Sequence, residues 1–127
     1  MKDLRDQRAA TEVELLDYAP AYQPNFKQLN VDWIERYFRL EAADHKALDH
    51  PEKYILQRRG HIWLARHGGQ MVGTCALLPL AAGTYELAKM TVIPTAQGLG
   101  VGFRLGTAAI AYARALGTAC TWKATPS

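Results

Sequence analysis

Three glycines at alternate positions, Gly98, Gly100 and Gly102, separate an apolar run from an alanine-rich amphipathic segment. The apolar run, residues 85–93, stops just before a proline, and the segment that follows, residues 100–116, has the apolar spacing of a helix. Because glycine has no Cβ atom, it lets other groups approach the backbone closely. This part of the sequence therefore predicts a strand, a glycine loop and a helix.

The N-terminal half predicts a strand followed by helices. Residues 11–18 mix β-branched and other apolar residues, as a first strand does. Apolar spacings of three and four predict a helix over residues 25–40, with Pro24 in its first turn. Residues 41–50 predict a short second helix that ends before Pro51.

The C-terminal half predicts the rest of a sheet. Two apolar runs, residues 61–67 and 71–80, flank the turn Gly68-Gly69-Gln70 and predict a β-hairpin. After the helix, whose expected C′ residue is Gly117, residues 118–122 predict a short last strand. The order β-α-α-β-β-β-α(-β) predicts an α+β fold in one domain, residues 1–127, with a mostly antiparallel sheet.

The charge is divided unevenly along the chain. Residues 1–52 carry seven lysines and arginines against eleven carboxylates, whereas residues 53–127 carry eight lysines and arginines and a single carboxylate, Glu86. A basic half favours an anionic partner. Because its cations are dispersed, we expect a small phosphate-bearing ligand and no nucleic acid.

Several other classes of protein are not indicated. The sequence contains no apolar run long enough for a membrane span and no signal-peptide core near its N-terminus, so we expect a cytoplasmic protein without a membrane partner. Cys75 and Cys120 are expected to be reduced thiols. The four histidines lack metal-ligand spacing, so we expect no metal.

The strand–loop–helix unit predicts an anion site, because the first N–H groups of a helix have no internal partner and carry partial positive charge. A P-loop is excluded, since the loop has no lysine. A dinucleotide fingerprint survives only in the relaxed form Gly100-x-Gly102-x-x-x-Gly106, without the acidic residue that should follow it. A simple turn is the remaining alternative.

The sequence resembles the GNAT superfamily of N-acetyltransferases. Its diagnostic motif, [Q/R]-x-x-G-x-[G/A] at the start of a helix after a strand, is matched by Gln97, Gly100 and Gly102. The two N-terminal helices, the hairpin "HIWLARHGGQMVGTCALLP" and the strand "YELAKMTVIP" extend the resemblance over about residues 10–117. It implies an acetyl-CoA N-acyltransferase fold with a splayed sheet.

The resemblance also implies a cofactor site and an activity. The protein would transfer an acetyl group from acetyl-CoA to a primary amine of a small molecule or peptide, without a metal. The pantetheine arm would run beside the backbone at the end of the strand, at Met90, Thr91 and Val92. The pyrophosphate would be held by loop amides, which belong to Gln97, Gly98, Leu99, Gly100, Val101 and Gly102.

Glu86 is the expected catalytic residue. Members of the family often carry a glutamate eleven residues before the motif, which is where Glu86 stands relative to Gln97. A carboxylate there can act as general base on the incoming amine, directly or through water. By strand periodicity, we expect Glu86 to share a sheet face with its neighbours at even positions, Ala88, Met90 and Val92. The alternative is a strand-end carboxylate, solvated or paired with Lys89 or Arg66. A bulge in this strand, which the resemblance makes common, would change the face that Glu86 occupies.

The resemblance stops before the family fold is complete. The family continues with a helix and two strands, whereas residues 118–127 make an atypical tail. We therefore expect a truncated sheet with an exposed edge, and self-association, as in a homodimer, or marginal stability. The alternative function is a non-catalytic acyl-CoA-binding module. The acceptor cannot be identified; Trp33, Tyr37 and Phe38 are pocket candidates, although helix-spaced aromatics are more often core residues.

Overall fold

A computed structural model describes residues 13–37, 42–80, 84–117 and 119–122. The elements follow the predicted order with one short extra helix. The strands are β1 (Glu14–Asp17), β2 (His61–His67), β3 (Gln70–Leu80), β4 (Thr84–Val92) and β5 (Ala119–Trp122); the helices are α1 (Gln23–Tyr37), α2 (Ala42–Asp49), α3 (Pro51–Tyr54) and α4 (Val101–Ala115).

The strands form one sheet in the order β1-β2-β3-β4-β5. The first four strands are antiparallel neighbours, and β5 lies parallel to β4. The β2–β3 hairpin turns at Gly68 and Gly69, whose φ angles of 60° and 78° are those of the mirror-image turn that matches strand twist. The α+β architecture predicted from the sequence is thus confirmed.

Strand β5 covers only part of its neighbour. Its described residues pair with Thr84 to Leu87 of β4, Ala119 facing Thr84 and Trp122 facing Leu87. Within the described part of the chain, no strand pairs with the β5-side edge of residues 88–92.

Helices cover both faces of the sheet. Helix α4 packs on one face, which we call the α4 face; its core includes Trp63, Cys75, Leu77, Leu87, Val101 and Leu105. Helices α1 to α3 pack on the other, the α1 face, whose core includes Phe26, Ile34, Leu48, Ile55, Leu64 and Ala76.

Some helical residues depart from the sequence predictions. In α1 the buried stripe runs through Phe26, Asn30 and Ile34, and Trp33 is only half-buried. Asn30 is accommodated because its side-chain amide donates to the Phe26 carbonyl oxygen at 2.9 Å. Leu116, the last residue of the predicted helical segment, is exposed just after α4 ends at Ala115.

The structure also bears on residues outside the helices. Gly117 adopts the expected left-handed conformation, with φ 73°. Cys75 is buried, and its thiol donates to the Leu105 carbonyl oxygen; the side chain of Cys120 lies outside what the structure describes. None of the described helices is both long and apolar enough to cross a membrane.

Candidate active site

The glycine loop takes a conformation that only glycine adopts readily. After β4, a short 3₁₀ turn, Pro94–Ala96, leads into Gly98 and Gly100, whose φ angles are 92° and 77°. Gly100 caps α4, and the first backbone hydrogen bond of the helix runs from Arg104 N to Gly100 O at 3.0 Å. The alternate glycines therefore reverse the chain immediately before the helix begins.

The loop presents amide groups toward open space. The amides of Gln97 and Leu99 donate within the turn, to Pro94 O and Ala96 O, both at 3.3 Å. The amides of the first helical turn precede Arg104 and so have no intrahelical acceptor. A methyl group on Gly98 or Gly100 would meet no atom within 4 Å. The open loop and the dipole of α4 fit an anionic group such as a diphosphate.

A cavity of about 470 Å³ joins this loop to the end of β4. Its lining contains every residue predicted to bind the cofactor except Leu99, together with Trp33 and Ala96. Leu99 is 48% exposed, and its amide is already bonded to Ala96. The Gln97 side-chain amide donates to Val92 O at 3.4 Å and links the loop to the strand.

A bulge in β4 overturns one prediction about its faces. Thr74 faces Thr91 and Ala76 faces Ala88, so Cys75 stands opposite two residues, Lys89 and Met90. Lys89 has a φ of 54°, in the left-handed region. The extra residue reverses the alternation beyond it.

The reversal places Met90 and Val92 on the α4 face with Leu87. Thr91 lies on the α1 face, where its hydroxyl donates to Leu29 O at 3.5 Å. The expectation that Glu86 shares a face with Met90 and Val92 was therefore wrong. Strict alternation fails at a bulge.

Glu86 lies on the α1 face of β4. Its neighbours Tyr85 and Leu87 belong to the α4-face core, so alternation turns Glu86 the other way, opposite Leu78 of β3. Glu86 is buried, with 6% of its surface exposed. It shares this face with Ala88 and Thr91 and is not among the lining residues of the cavity. Arg66, one suggested partner, instead contacts Glu14 at 3.0 Å.

A second cavity, of about 290 Å³, adjoins the first. It lies between α1 and the end of β4, and its lining includes Leu29, Asp32, Glu35 and Ile93. Sequence reasoning missed the two carboxylates, although their spacing of three on α1, flanking Trp33, places them on one side of the helix. Of the suggested pocket aromatics, Trp33 lines both cavities, whereas the side chain of Tyr37 and all of Phe38 lie outside the described residues.

The described residues contain no candidate metal site. Among the described residues, no three histidine, cysteine, aspartate or glutamate side chains gather as metal ligands would. The chemistry available around the cavities comes from backbone amides, carboxylates, Thr91 and Trp33.

The fold matches solved acetyltransferases. A GNAT-family acetyltransferase from Staphylococcus aureus Mu50 superposes with a TM-score of 0.75 at 21% identity, over 84% of this chain and 68% of that one. A predicted acetyltransferase from Clostridium acetobutylicum, solved with acetyl-CoA, gives 0.73 at 12% identity, over 90% and 82%. A GNAT-family acetyltransferase from Brucella melitensis in complex with acetyl-CoA gives 0.73 at 19% identity, over 87% and 75%.

Sequence comparison identifies the family. A comparison with curated proteins gave no match. The family model described as "Acetyltransferase (GNAT) family" matches residues 26–127, which include α1 from Phe26 onward, the whole β2–β4 meander and the glycine loop. The chain therefore belongs to the GNAT acetyltransferase family.

Proposed function

We propose that this protein transfers the acetyl group of acetyl-CoA to a primary amine of a small molecule or peptide. The observation that carries the proposal is the cavity joining the start of α4 to the end of β4. Two solved members of the same fold, from C. acetobutylicum and B. melitensis, are complexes with acetyl-CoA. Family membership supports acyl transfer, and the cavity supports acetyl-CoA as the donor.

The binding roles follow from the geometry of the loop and strand. The amides of Gly98, Gly100, Val101 and Gly102 would hold the diphosphate at the start of α4. The β4 residues Met90, Thr91 and Val92 line the same cavity, and the backbone at the end of this strand would hold the pantetheine arm. We retain the amides of Gln97 and Leu99 only as loop-shaping groups, because both already donate within the turn.

Acetyl-CoA supplies an activated carbonyl as its thioester. The amine nitrogen forms a bond to the acetyl carbon, the carbon–sulfur bond breaks and coenzyme A leaves as its thiolate, and a base must accept the proton that the amine loses. We assign this base to Glu86, which is buried on the same sheet face as Thr91, a residue lining both cavities. Because Glu86 does not line either cavity, the proton would reach it through water.

A non-catalytic acyl-CoA-binding module is the second candidate. The position of Glu86 outside the lining of both cavities favours this alternative. A carboxylate placed there is a poorer base than one in contact with the acceptor. Under this alternative, the loop and strand bind acetyl-CoA and no amine is acetylated.

Two measurements separate these functions. Under both, acetyl-CoA at about a hundred times its Kd should raise the free energy of unfolding by about 2.7 kcal/mol. Under the first alone, purified protein releases coenzyme A when supplied with an amine, and Glu86→Gln lowers kcat by about 100-fold or more with Kd for acetyl-CoA unchanged. The matched control is Glu52→Gln in α3, which lines neither cavity. No stabilisation by acetyl-CoA would refute both functions.

A further inference from the structure

The second cavity adjoins the first and shares part of its lining. The two share four lining residues, Trp33, Thr91, Val92 and Gln97. A molecule seated between α1 and the end of β4 would therefore reach the space assigned to the acyl donor. Of the described cavities, this is the one placed to hold the second substrate.

The two cavities differ in charge. The second has Asp32 and Glu35 at its mouth, both solvent-exposed, and none of its described lining side chains is cationic. The described lining of the first holds no charged side chain, and its field comes from the start of α4. The site as a whole thus has a positive end at the glycine loop and a negative end at α1.

This polarity assigns the two substrates to different ends. The phosphates of acetyl-CoA favour the start of α4 and are repelled by carboxylates. An alkylammonium group is attracted to Asp32 and Glu35, since such amines are cationic near neutral pH. Trp33 lines both cavities, and an aromatic ring near a cation site attracts the cation.

We propose that the acceptor is a linear diamine or polyamine, whose remote ammonium group is held by Asp32 and Glu35 while its other amine is acetylated. This inference rests on the proposed acetyltransferase function and adds the substrate class. The nitrogen of the reacting amine bonds to the acetyl carbon, and coenzyme A leaves as its thiolate when the carbon–sulfur bond of the thioester breaks. The remote ammonium keeps its proton throughout and serves only for binding.

Asp32 and Glu35 are suited to this role by their setting. Asp32 Oδ1 accepts a hydrogen bond from Gln28 Nε2 at 2.6 Å, which orients the carboxylate along α1. Glu35 lies one turn further along the same helix, so the two charges act on one ligand group. Because both are exposed, we expect their combined effect to be modest, of the order of tenfold in kcat/KM.

The test compares acceptors that differ only at the remote end. The probes are 1,4-diaminobutane, n-butylamine and 4-aminobutyrate, which carry an ammonium, a methyl and a carboxylate group on the same chain. We expect kcat/KM to be about tenfold higher for the diamine than for butylamine, and lowest for aminobutyrate. The advantage of the diamine should shrink as salt is raised. Equal rates for the diamine and butylamine would overturn the inference while leaving acetyl transfer intact.

Substitutions test whether Asp32 and Glu35 cause the preference for the diamine over butylamine. The double variant Asp32→Asn with Glu35→Gln should remove the diamine's advantage, so that kcat/KM for the diamine falls by about tenfold relative to that for butylamine. The matched control is Glu14→Gln, which removes an exposed carboxylate at the opposite edge of the sheet. A diamine preference that survives the double variant would overturn the assignment of these two residues.

Binding measurements distinguish a failed inference from a failed function. Calorimetry of 1,4-diaminobutane against the protein saturated with coenzyme A requires no turnover. Binding that the double variant weakens, without acetylation of any amine, supports the acidic cavity and refutes the acetyltransferase function. Acetylation without any difference between the diamine and butylamine in binding or rate refutes the cavity assignment alone.

Discussion

Gly73 of β3 lies directly against Val101, the first residue of α4: a methyl group on Gly73 would stand 2.8 Å from Val101 Cγ1. The same methyl would be 3.1 Å from the carbonyl oxygen of Thr91 and 3.3 Å from Leu105 Cδ1. The absence of a side chain at Gly73 thus lets α4 begin close to the sheet. The position of the glycine loop depends on this contact.

Gly73→Ala should therefore destabilise the protein. The Thr91 carbonyl belongs to the sheet backbone and cannot move aside, so the added methyl forces the start of α4 outward. We expect a loss of about 1–3 kcal/mol in the free energy of unfolding, measured by urea denaturation.

The matched control is Gly102→Ala, where the nearest atom, Val92 Cγ2, would be 3.9 Å away. That variant should be as stable as the wild type or more so, because alanine favours a helix. Equal stability of the two variants would contradict this packing argument.

A second pair of glycines separates backbone strain from ligand binding. Gly100 and Gly117 both have left-handed φ angles, 77° and 73°, and a methyl group on either would meet nothing within 4 Å. Alanine at either position should cost about 1–2 kcal/mol of stability through the backbone alone. Of these two glycines, only Gly100 lines the cavity at the loop.

Gly100→Ala should therefore weaken acetyl-CoA binding by roughly tenfold, equivalent to about 1.4 kcal/mol, whereas Gly117→Ala should leave it unchanged. Calorimetric titration of both variants with acetyl-CoA provides the comparison. If both variants lost affinity equally, the effect would come from destabilisation of α4 and the anion site would not be at the loop.

The sequence predicted this part of the molecule well because its signals are local. The two-glycine turn of the β2–β3 hairpin and the left-handed glycines at 98 and 100 each follow from the conformational freedom of one residue type. The position of the bulge was not predictable in the same way, although the family resemblance made a bulge in this strand an alternative. It places Lys89 at a φ of 54°, and lysine gives no sign of that conformation in a sequence. Consequently, the sheet faces were predicted correctly up to Ala88 and wrongly beyond it.

The acidic cavity was missed for a different reason. Asp32 and Glu35 appear in the sequence as ordinary solvated helix residues, and nothing local distinguishes them. Their position at a cavity depends on how α1 crosses the end of β4, which is set by buried contacts such as that between Thr91 and Leu29. Packing between distant segments determines this site, and periodicity within one segment does not reveal it.

The ion pair between α1 and α2 predicts a pH dependence of stability. Lys27 Nζ lies 2.5 Å from Asp49 Oδ1, and its hydrogen bond holds the pKa of Asp49 below the ordinary value of 3.8. A folded-state pKa lower than the unfolded one stabilises the fold above the unfolded pKa. This contribution is lost as the pH falls from about 4 through the lowered folded value.

The variant Asp49→Asn should accordingly have a lower Tm than the wild type at pH 7, and the difference should diminish as the pH is lowered below 4. Because both partners are exposed, added salt should also reduce the difference at pH 7. Thermal unfolding of both proteins across this pH range, with and without salt, measures the effect. A difference in Tm that is the same at pH 3 and pH 7 would show that the ion pair is not its source.

Two buried threonines test whether the strand binds acetyl-CoA through its backbone. Thr91 and Thr74 face each other across β3 and β4, and both are buried. The hydroxyl of Thr74 donates to Trp63 O at 2.7 Å, whereas that of Thr91 reaches Leu29 O only at 3.5 Å. Valine has nearly the same shape without the hydroxyl, so Thr74→Val should cost about 1–2 kcal/mol of stability and Thr91→Val less than about 1 kcal/mol.

Acetyl-CoA affinity should be insensitive to both substitutions, remaining within about twofold of the wild type. Thr91 lines the cavity and Thr74 does not, yet the backbone contacts proposed along β4 do not involve the Thr91 hydroxyl, and valine preserves the main chain. Calorimetric titration of the two variants checks this, with Thr74→Val as the control for any indirect effect of lost stability. If Thr91→Val alone weakened binding by tenfold or more, about 1.4 kcal/mol, the hydroxyl would be a direct ligand contact, and the backbone arrangement proposed for β4 would be wrong at this residue.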